Sequence, residues 1–259
     1  MHTELCQEEI CTNAVKERGG KLVNSQKQVE IFGDSLLKGI QINPQSLRYY
    51  INNNIDVEKI EKTHYLSVKN FAKFGCTVTK GLALIEKRLR GNEPFCDAVL
   101  MDFGGNDCDY NWCAVAESPD YNHLPNTPLE VFVETYHKII VLLKENGIRP
   151  ILTTLPPLDA QKFFHWFCND LNKANVLKWL GDVHLIYRWQ ENYSRAVEKI
   201  AAETNTLLVD LRGAFLNHRN LNLLLCEDGT HPNTEGQKII TQAFMEFIEN
   251  AKTKGDIQI

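Results

Sequence analysis

Apolar and polar residues alternate from Gln28 to Phe32 ("QVEIF"), a period of two that predicts a strand. Leu66, Val68 and Phe71 mark a weaker strand between Tyr65 and Phe71. The period then lengthens. Val78, Leu82, Ile85 and Leu89 recur at helical spacing in "TVTKGLALIEKRLR". "DAVLMDF" (Asp97 to Phe103) is a continuous apolar run, suited to a strand buried on both faces. "PLEVFVETYHKIIVLLKENG" returns to helical spacing and stops at Gly147, a C-cap residue. "RPILTTLPP" (Arg149 to Pro157) predicts another buried strand, ended by its two prolines. "YSRAVEKIAAETN" reads as helix, Thr206 to Leu211 as strand and "TEGQKIITQAFMEFIENAK" as a closing helix.

Strands that alternate with helices argue for an α/β domain, a parallel sheet of about five strands covered by helices on both faces. Residues 1–26 are polar and form an N-terminal arm; residues 27–259 carry the domain. One stretch breaks the rhythm. Residues 158–192 are dense in aromatics: Phe163, Phe164, Trp166, Phe167, Trp179, Tyr187 and Trp189. Two readings stay open for it, a helical insertion with a small core of its own and a lid or substrate wall over the strand ends.

The composition narrows the partners. At 43% hydrophobic and 24% charged residues, a chain of 259 residues buries a core without disulfides or metals. A net charge of -5 disfavours a broad nucleic-acid surface. No apolar run approaches the roughly 18 residues of a membrane span. The start lacks a basic segment followed by an apolar one, so a cytoplasmic location is expected. The eight cysteines form no C-x-x-C pair and read as reduced thiols. Cys108, Cys113 and His123 match no standard zinc spacing, so neither metal nor cofactor is expected. His64, His137, His165, His184 and His218 read as surface or packing residues, and Arg188 and Arg195 as a solvated helix face.

In open parallel sheets, ligands sit beyond the carboxyl ends of the strands. Gly33, Asp34 and Ser35 follow the first strand, with Leu36 and Leu37 starting a helix that returns to the core. Phe74, Gly75 and Cys76 follow the second, and Gly104, Gly105, Asn106 and Asp107 the third. Asp228, Gly229, Thr230 and His231 come after the last strand and a loop. Each stretch alone suits an ordinary turn. Together they hold the parts of nucleophilic catalysis. A serine hydroxyl needs a base within hydrogen-bond reach, and the base needs a partner that holds its tautomer. His231 can be that base for Ser35, with Asp228 three positions before it as the partner. An ester attack also puts negative charge on the carbonyl oxygen. The backbone N–H of Ser35, the backbone N–H of Gly75 and the Asn106 amide could meet that charge.

"FGDSLLKG", "FGCT", "FGGND" and "DGTHPN", in that order from about Val29 to Ala251, resemble the four blocks of the SGNH (GDSL) hydrolases. The resemblance implies a flavodoxin-like, three-layer α/β/α sandwich and hydrolysis of an acyl ester without a metal. It makes Ser35 the nucleophile, His231 the base and Asp228 the orienting acid, with Ser35, Gly75 and Asn106 as oxyanion donors. The G-x-S-x-G elbow of the α/β-hydrolases is absent, because Leu37 stands two positions after Ser35. The expected substrate is a small-molecule ester, an acetylated carbohydrate or other small polar ester before a lipid. A non-catalytic binder of a sugar or nucleotide on the same fold is the reading from another class. Asp34, Trp166 and Trp189 are candidate substrate contacts.

Overall fold

The computed structural model describes residues 26–52, 56–91 and 96–255, so the arm expected over 1–26 lies outside it but for Gln26. Five parallel strands form the sheet: β1 (Lys27–Gly33), β4 (Leu66–Asn70), β5 (Ala98–Asp102), β6 (Arg149–Thr153) and β7 (Leu207–Val209). Their order is β4-β1-β5-β6-β7. The chain leaves β1 toward one edge and comes back to the other side of it at β5. Ligands in such sheets sit beside that reversal, outside the carboxyl ends.

Neighbouring residues on the central strands go to opposite faces, which is why these segments read as continuous apolar runs. Phe32, Val99, Met101 and Leu152 join one cluster, with residues of α3 (Val78–Leu89), α5 (Leu129–Glu145) and α8 (Leu185–Thr204). Ile31, Leu100, Ile151 and Val209 join the other, with α2 (Val57–His64), α9 (Leu211–Leu216) and α10 (Thr234–Thr253). Phe132, Tyr136 and Tyr193 are wholly enclosed in the first cluster. Burying an apolar side chain of that size contributes roughly 1.5–3 kcal/mol.

Several elements depart from the expected boundaries. The helix after Ser35, α1 (Ser35–Lys38), is one turn long and ends at Gly39. It gives way to an antiparallel hairpin, β2 (Ile40–Ile42) and β3 (Tyr49–Ile51), outside the main sheet. Asn43 turns this hairpin, its Oδ1 accepting from the N–H groups of Gln45 and Ser46. The strand expected to reach Pro157 pairs only to Thr153. Prolines bring no N–H to a ladder, and the Pro156 carbonyl takes the Gln190 amide instead. Helix α8 begins eight residues before Tyr193, where Ile186 and Gln190 already face inward. Short helices α2, α4 (Trp112–Glu117) and α9 are capped by Asp56, Asn111 and Asp210.

The aromatic stretch folds as α6 (Ala160–Phe167), α7 (Lys173–Leu180) and about the first two turns of α8. With α4 it builds a separate cluster around Val115, Phe164, Cys168 and Val176. It also lines the cavity described below, so a small core of its own and a place on the cavity wall occur together. No helix among the described residues is long and apolar enough to cross a membrane.

Candidate active site

Ser35 is the first residue of α1 and is almost wholly buried. Asp34 sets it there, because its Oδ1 accepts from the Leu36 N–H at 2.9 Å and caps the turn. The Asp34 N–H also bonds the Asp102 carbonyl, tying the ends of β1 and β5 together. His231 Nε2 lies 2.9 Å from Ser35 Oγ, across 196 positions of sequence. On the other side of the ring, Nδ1 meets Asp228 Oδ2 at 2.5 Å. Asp228 Oδ1 accepts from the N–H groups of Thr230 and His231, so the carboxylate is held on both oxygens. Burial alone would raise the Asp228 carboxyl. The His231 ring and those N–H groups outweigh it and hold the acid below the ordinary carboxylate range.

The local sequence explains this loop. Gly229 has a φ of +71°, and a Cβ there would come within 2.7 Å of the Asp159 carbonyl. The Asp159 N–H bonds the Gly229 carbonyl, so the start of α6 packs directly on the loop. After His231, Asn233 caps α10 through the N–H groups of Glu235 and Gly236. His231 therefore stands between two fixed points.

Asn106 Nδ2 donates to Asp34 Oδ2 at 2.9 Å. An amide nitrogen carries two hydrogens, and the second is left for a ligand. The Asn106 carbonyl accepts from Asn126, which holds the loop. Its neighbour Asp107 serves the fold, accepting from the Val78 N–H and so capping α3 from a distance. Gly75 has a φ of +68° with open space where a Cβ would be. Phe74 beside it lines the cavity, whereas Gly75 is not among the lining residues.

Asp34, Asp102 and Asp107 form a buried acidic cluster behind the serine. Burial, with the Asp102 charge next to it, pushes Asp34 up to about 8. Burial pushes Asp102 and Asp107 up to about 6.

These groups open onto a cavity of about 530 Å³ lined by Asp34, Ser35, Asn106 and His231 on one side. Phe163, Trp179, Ile186 and Trp189 lie on the other. Trp189 is therefore at the cavity, as expected. Trp166 is not a lining residue; it reaches the site through Tyr49, whose hydroxyl takes the Trp166 indole N–H at 3.0 Å. Tyr49 and Phe74 line the cavity; Phe74 lies in a stretch expected at the rim, whereas Tyr49 was not singled out in the sequence. A larger groove of about 1130 Å³ runs along the α2 and α10 face of the sheet, away from the Ser35 constellation. Cys108, Cys113 and His123 do not gather: Cys108 is buried, Cys113 exposed, and His123 bonds the Ser118 carbonyl. Among the described residues no group of three His, Cys, Asp or Glu side chains is placed to hold a metal ion.

A one-turn helix carrying a serine, a histidine on a capped loop and an amide at the β1/β5 reversal define a class of hydrolase-like sites. The chain belongs to the GDSL-like lipase/acylhydrolase family, whose model matches residues 31–239. It is 24% identical to the GDSL esterase/lipase WDL1 of Oryza sativa subsp. japonica over 181 residues. That match spans 69% of this chain and 64% of the rice protein. Among solved structures, the chain resembles the acetylxylan esterase Axe2 of Geobacillus stearothermophilus, with a TM-score of 0.61 and 22% identity. The overlap covers 86% of this chain and 94% of Axe2. The lipase/acylhydrolase of Enterococcus faecalis gives a TM-score of 0.57 at 18% identity, over 87% of this chain and 96% of that one. Likeness at these identities establishes the shared fold.

Proposed function

We propose that the chain is a serine esterase that hydrolyses a small polar carboxylic ester through an acyl-enzyme, with an acetylated carbohydrate as the first candidate. The observation that carries this is the unbroken chain of hydrogen bonds from Asp228 through His231 to Ser35, ending in an open cavity. Ser35 Oγ attacks the ester carbonyl and its proton passes to His231 Nε2. The carbonyl oxygen, now charged, is met by the Asn106 amide and the N–H groups of Ser35 and Gly75. His231 returns the proton to the leaving alcohol. A water molecule, deprotonated by the same nitrogen, then releases the acid from Ser35.

Axe2 acts on acetylated xylan by its name, and the two chains share this fold, which supports the carbohydrate reading. A lipid acylhydrolase is the second reading. The apolar inner wall, with Leu155, Leu158 and Ile186, favours it.

The test is hydrolysis of p-nitrophenyl esters of increasing acyl length by wild type and Ser35→Ala. Activity greatest on acetate, and lost by about 10⁴-fold or more in the variant, is the expected result. A peak at long chains moves the assignment to lipids. A folded Ser35→Ala protein with full activity would sink the mechanism.

A further inference from the structure

Tyr49 and Phe74 are exposed at 43% and 56%, yet they are not scattered surface rings. Their centroids are 5.3 Å apart, and each also meets the His231 ring, at 5.4 Å for Tyr49 and 6.2 Å for Phe74. Trp166 completes the group, edge-on to Tyr49 at 6.1 Å. Two separate segments, the hairpin and the loop after β4, bring an aromatic ring to the same histidine, and α6 backs the first of them with Trp166. Single exposed apolar residues need no explanation, but a contiguous exposed patch at a cavity mouth does.

The hairpin is built to hold Tyr49 there. Ile40 and Ile42 are buried beneath it. Gln41 is enclosed, and its Oε1 accepts from both Tyr50 Oη and Asn52 Nδ2, locking the two strands together. A two-stranded hairpin in water is marginal alone, so this anchoring is what gives the ring a fixed place.

Reaction geometry says what meets that ring. His231 Nε2 must hand its proton to the leaving oxygen, so the alcohol half of the ester lies against whatever flanks the imidazole. Tyr49 and Phe74 flank it. Tyr49 Oη accepts from Trp166, and its own hydrogen has no acceptor among the described contacts. Burial, and then the Asp228 charge, push the Tyr49 hydroxyl up to about 12, so that hydrogen stays in place. The subsite therefore offers exposed ring surface together with one free O–H donor. That pairing suits an alcohol with an apolar ring face edged by hydroxyls, the chemistry of a pyranose.

We propose that Tyr49 and Phe74, with Trp166 holding Tyr49 in place, form the leaving-alcohol subsite and select a pyranosyl alcohol over a small aliphatic one. This rests on the esterase reading and adds the side of the cavity that the alcohol takes. The test keeps the acyl group constant as acetyl and varies the alcohol, comparing an acetylated methyl pyranoside with ethyl acetate. Phe74→Ala should lower kcat/KM on the pyranoside about ten-fold more than on ethyl acetate, mostly through KM. Tyr49→Phe, which keeps the ring and removes the donor, should cost several-fold more on the pyranoside than on ethyl acetate. Equal losses on both esters, or none on either, overturn the subsite. A binding measurement separates this from the esterase reading. Quenching of indole fluorescence by the acetylated pyranoside should be seen with Ser35→Ala protein and weakened about ten-fold when Phe74→Ala is added. Hydrolysis of simple esters without such binding retains the esterase and discards the subsite. Binding without hydrolysis of any ester discards the esterase and with it the leaving-alcohol role, and leaves a sugar-binding site at these rings.

Discussion

The two walls of the cavity are made by different means. On the polar wall each group is pinned by backbone. Asp34 caps α1, Asp228 accepts two N–H groups of its own loop, and the Asn106 loop is tied by Asn126. On the aromatic wall the rings hold one another. Tyr110 packs on Trp112, Trp179 and Trp189, and Trp112 stacks on Phe167 with centroids 4.1 Å apart. A charge-relaying group needs a direction, which only hydrogen bonds define. An apolar wall needs area and shape, which several residue types can supply. So the polar wall tolerates almost no change of residue type, whereas the aromatic wall can be altered by degrees.

That difference governs what could be read in advance. Ser35, Asn106, Asp228 and His231 each follow a strand or open a helix, within short stretches of turn-forming residues. Their residue types name their chemistry. Strand β1 was legible from its alternation, and β5 and β6 from their continuous apolar runs. Tyr49 was not, although it touches His231. It lies on a three-residue strand, too short for a period to show, and its partner Trp166 is 117 positions away. The alternation at Ile40–Ile42 followed by Asn43-Pro44 was a turn signal that could have suggested a hairpin there. Helices α4 and α9, six residues each, escaped for the same reason of length.

The largest effect should come from the most directional contact. Asp228→Asn keeps the size of the side chain but presents the wrong hydrogen-bonding pattern to His231 Nδ1. A loss in kcat of about 10⁴-fold is expected, with little change in KM. A loss below ten-fold would show that the ring is oriented by something else, for example Thr230 Oγ1, which lies 3.3 Å from Nδ1. Asn106→Ala removes one donor and frees Asp34 Oδ2. A fall in kcat of about 10² to 10³-fold is expected, again with KM nearly constant. If KM rises instead, Asn106 binds the ground state and belongs with the aromatic wall in kind.

The smallest effect concerns stability, and it separates the walls by their response to pH. Asp34 is raised to about 8 and Asp102 to about 6, chiefly by burial. Between the unfolded carboxylate value near 4 and these values, the native state binds more protons than the unfolded chain. Stability contributed by these two groups is therefore full at the acid end and falls as pH rises from about 4 to 8. Asp228, held low, loses its contribution only below that window. Asp102→Asn deletes one raised carboxyl and also the charge that lifts Asp34, so it should flatten the decline. The Thr153 hydroxyl, which now donates to Asp102 Oδ1, can still donate to an amide oxygen. Unfolding free energies from denaturant titrations at pH 5 and pH 8 should differ by less in Asp102→Asn than in wild type, by about 1–2 kcal/mol. Trp189→Phe, a change confined to rings and packing, should shift both free energies together and leave their difference as it is. A wild type whose stability is level from pH 5 to 8, or a Trp189→Phe protein that alters the slope, would erase the division between a wall set by charge and a wall set by shape.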